Sequence, residues 1–414
     1  MTHEHRFDRT PDGAIWTQVA GEYSYWGRYL GVFRRVKILA RAREVGDIPF
    51  GSIRADGEGV SFVPLPHYIG PWQYLYRAWK VKEVAISAVG KTDAVILRIP
   101  GQIGSCIEPF LRNTSHPYAV EVVGDPYDVF APGAVRHPLR PFLRWWFPKK
   151  MRRQCAGACA ATYVTEYTLQ RRYPCLMRSG GFFRKVISGR QLEQGKPYIT
   201  SFSDIDLPGE YFVTRKKDYP RRDPVFTILT IGSLSQMYKG TDVLIDAVSA
   251  CIREGLDLRL IIIGDGKHRQ ELEARAWKCG LGERACFLGQ IPFGKDITAQ
   301  LDKADLFVLP SKTEGLPKAM IEAMARGLPC IGSTAGGIPE LLHIEDMVPP
   351  GDISALARKI REVVSSPDRM ARMSERNIEK AYEFHGDILR VRRVNFYKNV
   401  RSTMEKWSGE SESC

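Results

Sequence analysis

From about residue 225 onward, short apolar runs alternate with helical stretches. "FTILTIG" (226–232) and "LDLRLIIIG" (256–264) are β-branched runs that each end in glycine. "TDVLIDAVSACIREG" between them and "KHRQELEARAWKCG" after them have helical character. "RACFLG", "DLFVLPS" and "PCIGS" are three further apolar runs, again separated by helical segments. Apolar strands alternating with helices predict a parallel sheet covered on both faces, a doubly wound α/β domain. Such a sheet binds ligands beyond the carboxyl ends of its strands. The loops after Gly232, Gly264, Gly289, Ser311 and Ser333 are therefore the places to look for a site.

The first 200 residues repeat the alternation less cleanly. "RVKILARA", "GVSFVPLP", "DAVILRIPG", "PYAVEVVGD" and "CAATYVTE" are expected strands, and "PWQYLYRAWKVKEVAISAVG" an expected helix. A second α/β domain follows, giving 1–205 as the N-terminal domain and 225–389 as the C-terminal one. Residues 206–224, rich in charge and proline, are the expected linker. A basic helix at about 390–407 is a candidate to pack back on the N-terminal domain, and 408–414 is expected to be a disordered tail.

At 414 residues the chain has room for two or three domains. No apolar run is long enough for a membrane span, and the polar start "MTHEHRFDRTPDG" has no signal-peptide core, so a cytoplasmic protein is expected. The nine cysteines include no CxxC pair, which argues against structural zinc and for reduced thiols. The net charge of +13 favours an anionic partner: nucleic acid, an anionic membrane surface or a phosphorylated substrate.

"EGLPKAMIEAMARGLPC" (314–330) carries the sharpest chemistry. Eight helical steps would separate Glu314 from Glu322 by roughly 12 Å, too far for a hydrolase-type carboxylate pair. The two could still grip different ends of one extended ligand. Pro317 suits the first turn of a helix, leaving Glu314 just ahead of it, beside an anion-binding helix N-terminus. The plain alternative is a surface ladder of Lys318, Glu322 and Arg326 at i, i+4, i+8.

The surroundings of this pair resemble the GT-B glycosyltransferases, specifically the large retaining family 4. The resemblance is strong over about residues 226–350. It rests on "GSLSQMYKG" (232–240), "LIIIGDG" (260–266), "FLGQIP" (287–292), "LPSKTEGLPKAMIEAMARGLPCI" (309–331) and "AGGIPELL" (335–342), with weaker echoes in "VEVVGDPYDVF" (120–130) and "ATYVTEYTLQRRYP" (161–174). It implies two Rossmann-like domains facing across a cleft and transfer of a sugar from a nucleotide-diphosphate donor. It further implies that Glu314 faces the donor sugar and Glu322 holds the ribose hydroxyls. By the same resemblance Gly315, Leu316 and Pro317 offer backbone groups to the sugar and diphosphate. Gly232 and Lys239 serve the diphosphate, and Gly264 and Ile291 stand in the loops that hold the base. For the glycines the alternative is simple turn chemistry. No metal or other cofactor is implied. Retention of configuration, by front-face attack within an ion pair, is the implied outcome.

The sequence departs from the family in three places. Ser233 stands where an arginine usually serves the diphosphate, so another cation should compensate; Arg215, Lys216 and Arg222 are nearby in sequence. The usual histidine after a central strand is missing: His116 is at the wrong end of "AVEVV", and Asp125 takes the place, unless it is an Asp-Pro turn former. Gly21, in "AGEYSYWGRYL", is the nearest match to a glycine-rich loop facing the diphosphate.

"PLRPFLRWWFPKKMRR" (138–153) combines six Lys/Arg with four aromatics and no acid. It is expected either to lie on an anionic membrane or to pack as an N-domain helix with solvated cations. The sequence thus favours an enzyme building a bacterial surface polysaccharide or lipid-linked glycan, peripheral on the inner membrane face. Alternatives are a transferase acting on a small soluble acceptor and an inactive GT-B binding protein. Nucleic acid as partner explains the charge but none of the motifs.

Overall fold

The computed structural model describes residues 1–18, 21–130, 138–176, 196–205, 207–215, 225–291 and 294–411. The chain divides into two compact units, one of residues 1–124, 147–202 and 390–414, the other of 125–146 and 203–389. Most of the expected linker, including Lys216 and Arg222, lies outside the described residues; Arg215 is exposed.

The first unit holds two sheets. Strands β1 (Thr2–Arg9), β2 (Ile15–Thr17), β3 (Val36–Glu44), β4 (Ile53–Arg54) and β5 (Val60–Pro66) form a mixed sheet in the order β4-β2-β1-β3-β5. Its β1, β3 and β5 are parallel, whereas β2 pairs antiparallel with both β1 and β4. Strands β6 (Val95–Ile99), β7 (Tyr118–Val122), β8 (Ala160–Tyr163) and β9 (Tyr198–Ser201) form a parallel sheet in that order. The backbone N–H of Arg98 in β6 donates to Thr2 Oγ1 in β1 at 3.0 Å, tying the two sheets together. Helices α1 (Tyr23–Leu30), α2 (Gly70–Ser87) and α3 (Gln102–Asn113) belong to this unit. Leu39, Leu65, Val81, Leu97, Ile107 and Val120 are among its core residues.

Strand β1 was not expected from the polar "THEHRFDR". Parallel pairing with β3 makes it a strand, and only Thr2 and Phe7 are buried, so its other side chains can be polar.

Short helices α4 (Pro126–Val129) and α6 (Thr168–Arg172) flank α5 (Arg140–Gly157), which contains the basic aromatic stretch. Phe142, Trp145 and Trp146 on α5 are exposed, with the Phe142 and Trp146 rings stacked at 5.8 Å; Pro148, Met151 and Cys155 are buried.

The second unit has a six-stranded, all-parallel sheet. Its strands are β10 (Phe226–Ile231), β11 (Leu258–Ile263), β12 (Ala285–Gly289), β13 (Leu306–Leu309), β14 (Cys330–Ser333) and β15 (Met347–Val348). Their order is β12-β11-β10-β13-β14-β15, the 3-2-1-4-5-6 order of a dinucleotide-binding sheet, which reverses between β10 and β13. The helices are α7 (Thr241–Arg253), α8 (Arg269–Lys278), α9 (Lys295–Lys303), α10 (Lys318–Ala325), α11 (Ile353–Val364) and α12 (Pro367–Tyr382). This is the doubly wound α/β architecture that the strand and helix alternation predicts.

The last helix, α13 (Gly386–Ser411), passes from the second unit into the first. Leu389, Phe396, Tyr397, Val400 and Met404 recur at helical spacing and are buried, while its many cations lie around them. Residues 408–411 are helical rather than a disordered tail: Ser408 Oγ donates to the Glu405 carbonyl, and Arg401 pairs with Glu405 one turn on, supporting the final turns. Residues 412–414 lie outside the described part.

Candidate active site

At the reversal point of the second unit's sheet, two loops leave the carboxyl ends of adjacent parallel strands. The loop after β10 carries Lys239 and the loop after β13 carries Glu314. Lys239 Nζ donates to Glu314 Oε1 at 2.6 Å. The same oxygen accepts from Ser311 Oγ at 2.8 Å, and Ser333 Oγ donates to the Ser311 carbonyl. The Lys312 backbone N–H donates to the Tyr238 carbonyl at 2.6 Å, and Lys312 Nζ to Asp242 at 3.2 Å, so the loops are joined along their length. The Lys239 and Glu314 side chains are 19% and 7% exposed, which makes the ion pair strong and position-defining.

Glu314 is held from behind as well. The Gly337 N–H donates to the Gly315 carbonyl at 2.7 Å. Gly336 has φ of +55°, and a Cβ there would lie 1.8 Å from the Glu314 carbonyl oxygen. Only glycine permits that approach. Among the described residues no partner is found for the amides of Gly315 and Leu316. Pro317 occupies the N-cap of α10, one place earlier than the first-turn position expected. Two unpaired amides beside a helix N-terminus make a setting for anionic oxygens.

Glu322 sits in α10, in a run of buried residues from Met320 to Ala325. It is 8% exposed, and its carboxylate has no hydrogen-bond partner among the described residues. Burial pushes its pKa up to about 7, against the opposing pull of the Lys318 charge. The surface ladder is not what forms. Arg326 instead makes a two-pronged pair with Asp302, both contacts at 2.7 Å, and donates to the Tyr211 carbonyl. Tyr211 feels the Glu322 charge: burial and then that carboxylate raise the phenol's pKa.

The glycine-ended loops converge by backbone contact. The Gly264 N–H donates to the Gly289 carbonyl at 2.8 Å, and the Gly232 N–H to the Ile263 carbonyl at 2.9 Å. Gly264 has φ of +139°, and a Cβ there would lie 1.9 Å from the Gly232 carbonyl oxygen. Close packing alone thus requires this glycine. Ile291 is half-buried just past Gly289. Ser233 is exposed, and its Oγ accepts from the Ser235 N–H at 3.2 Å, closing its own loop.

The two N-terminal candidates have local structural partners. Asp125 caps α4, accepting from the Tyr127 N–H at 2.8 Å, which is the turn-forming role. The Gly21 carbonyl accepts from Trp26 Nε1 at 2.9 Å, anchoring α1. His116 Nδ1 lies 3.0 Å from the Pro117 carbonyl, with its ring against Trp407.

Ser311 and Ser333 stood out in the sequence only as the points from which candidate loops leave their strands, with no role for their hydroxyls, and Gly336 was not singled out. Ser311 and Gly336 lie inside quoted motif blocks, but their roles depend on loops brought together only by the fold. Among the described residues no group of three or more His, Cys, Asp or Glu could hold a metal ion, and no helix is long and apolar enough to cross a membrane.

Residues 214–380 match the family model for glycosyl transferases group 1. The chain is 26% identical over 347 residues to protein CapJ of Staphylococcus aureus, covering 83% of this chain and 81% of that one. It is 36% identical over 139 residues to the amylovoran biosynthesis glycosyltransferase AmsK of Erwinia amylovora, covering 31% and 34%. Among solved structures, sucrose-phosphate synthase from Thermosynechococcus elongatus aligns with a TM-score of 0.67 at 17% identity, covering 92% of each chain. Anabaena HepE in complex with UDP and glucose aligns with a TM-score of 0.57 at 16% identity, covering 93% of this chain and 97% of that one. These two likenesses concern the fold.

Proposed function

The chain is a group 1 glycosyltransferase of GT-B fold, and from that premise we propose that it moves a sugar from a nucleotide-diphosphate donor to a glycan or lipid-linked acceptor in bacterial surface polysaccharide synthesis, with retention of configuration. The observation that carries the proposal is the Lys239–Glu314 contact at the sheet's reversal point, with buried Glu322 following in α10.

The donor lies along these groups. Glu322 accepts hydrogen bonds from the ribose hydroxyls, which supply the partners its buried carboxylate lacks. Lys239 has one N–H committed to Glu314 and two others available to the diphosphate. The amides of Gly315 and Leu316 and the N-terminus of α10 add to that stabilisation as the sugar–oxygen bond breaks and charge collects on the leaving diphosphate. Glu314, fixed by Lys239 and Ser311, positions the sugar and stabilises positive charge on its ring; it is not assigned as a covalent nucleophile. Lys239 is the member of the expected cation pair that this loop keeps, and no metal is invoked. The base stays unassigned because the loops at 264 and 289 present mainly backbone.

Relatives named for amylovoran biosynthesis and colanic acid biosynthesis support a polysaccharide role. The exposed aromatics of α5 among basic residues support peripheral attachment to the inner membrane face.

Thermal shift against UDP, GDP, ADP and TDP tests the donor assignment, because a ligand that binds the folded state raises its melting point. One nucleotide should stand out. Slow hydrolysis of the matching nucleotide-sugar, abolished in Glu314→Ala, should accompany it. No shift with any nucleotide, or hydrolysis unchanged in Glu314→Ala, overturns the proposal. Binding without any turnover would favour the inactive-protein alternative.

A further inference from the structure

Helix α2 carries a face that the donor chemistry does not use. It packs onto the first unit through Val81 and Ala85, which are fully buried, with Tyr74 and Ala78 half-covered beside them. On the opposite side stand Trp72, Leu75, Tyr76 and Trp79, at i, i+3, i+4 and i+7. They are 77%, 64%, 85% and 69% exposed. Ile69, at the helix N-cap, extends the row and is 55% exposed. Scattered apolar residues on a surface need no explanation, but a continuous stripe of this size marks a contact surface.

The charge around the stripe says what the contact is. Lys80 and Lys82 flank it on its two sides, both exposed, and Glu83 is the helix's lone acid. At its N-terminal end the stripe meets a cavity of about 310 Å³ lined by Glu4, Arg6, Asp8, Arg43, His67 and Ile69. The acids there are already engaged, Asp8 with Arg43 at 2.9 Å and Glu4 with Arg41 at 3.5 Å. Arg77 donates to the His67 carbonyl and adds a further cation. The His67 ring is held below its ordinary pKa by burial first and then by Arg6, Arg43, Arg41 and Arg77, which is the mark of a positive local potential. Indole and phenol rings in a row, with cations on both flanks, match the headgroup layer of an anionic bilayer. A second copy of this chain fits less well, because pairing two such stripes would bring like charges together.

We propose that α2 is a membrane-docking helix, its Trp72, Leu75, Tyr76 and Trp79 entering the headgroup region of an anionic bilayer while Lys80, Lys82 and Arg77 meet the lipid phosphates. This contact is separate from the aromatic cluster of α5. It gives the lipid-linked acceptor proposed above a physical location but does not depend on it for evidence.

Flotation of the full chain with phosphatidylcholine vesicles, with and without about 30% phosphatidylglycerol, tests the proposal. The wild type should bind the anionic vesicles at least about tenfold more tightly than the neutral ones, and less at high salt. Trp72→Ser/Trp79→Ser should lose about tenfold or more. Lys80→Glu/Lys82→Glu should lose the preference for anionic lipid. All four side chains are exposed, so both variants should keep the wild-type melting point and the nucleotide-induced thermal shift. Failure of the wild type to float, or flotation undiminished in Trp72→Ser/Trp79→Ser, overturns it. So does a lipid-free dimer that this variant converts to monomer, since the stripe would then face a second copy. Loss of the nucleotide shift with flotation intact would count against the donor assignment alone.

Discussion

Lys239 Nζ and Glu314 Oε1, seventy-five positions apart in the chain, meet at 2.6 Å where the second unit's sheet reverses its strand order. Each neutralises the other in a place with little water. Removing one partner leaves the other charge stranded. Lys239→Met and Glu314→Gln should each destabilise the protein by about 2–3 kcal/mol, below the fully buried limit because Lys239 is partly exposed. The double variant should cost less than the sum of the two, as urea unfolding in a double-mutant cycle would show. Turnover should fall about 10²–10³-fold in either single variant.

The raised pKa of Glu322 gives a pH signature. A nucleotide-sugar is a diphosphate diester and does not itself titrate near neutrality, so its binding isolates the protein's ionisation. Ribose hydroxyls donate best to the ionised carboxylate. The donor Kd should therefore rise as pH falls through about 7, and this dependence should vanish in Glu322→Gln. Calorimetric titration between pH 5.5 and 8, values on the order of the pKa range, would read it directly.

Without donor, the same group acts on stability in the opposite sense. The folded state keeps the Glu322 proton up to about pH 7, whereas an unfolded glutamate releases it near 4.5. Between those values the folded state binds more protons, so stability falls as pH rises, by at most about 3 kcal/mol. Glu322→Gln should flatten that part of the profile in chemical denaturation.

Gly336→Ala should damage the site without touching any charged group. The left-handed backbone costs a side chain roughly 1–2 kcal/mol, and the new Cβ would collide with the Glu314 carbonyl. A lowered melting point with loss of donor hydrolysis is the expected outcome.

In the first unit, Glu121 accepts from Tyr29 Oη at 3.0 Å, Tyr397 Oη at 3.1 Å and Arg98 at 3.1 Å. Tyr397→Phe removes one hydrogen bond to a buried carboxylate and should cost about 1.5–3 kcal/mol. Urea unfolding would measure it, and nucleotide binding by the second unit should be unchanged.

The second unit was legible because its strands are buried on both faces and so read as apolar runs ending in glycine. The roles of Glu314 and Lys239 were suggested by motif, and their contact adds a geometry that spacing alone could not supply. For Glu322 the surface ladder stood as the plain alternative to a ligand-facing role, and spacing alone could not remove it; burial in the fold does. Strand β1 was illegible because, apart from Thr2 and Phe7, its positions are only partly covered and carry His, Glu, Arg and Asp. The stripe on α2 was written plainly as Trp72, Leu75, Tyr76 and Trp79, yet a helix with apolar residues on two sides does not declare which side packs. Ser311 and Ser333 act through short contacts between distant loops, which leave no periodic trace.

The passage of α13 from one unit to the other has a consequence for biosynthesis. Residues 203–389 leave the ribosome before Phe396, Tyr397 and Arg401, whose rings and guanidinium complete contacts with Tyr198, Glu121 and Val32. The earlier-made half of the chain must therefore wait, with Glu121 lacking one of its donors, until α13 has been made. The later half can settle first, inverting the usual order in which nascent domains mature.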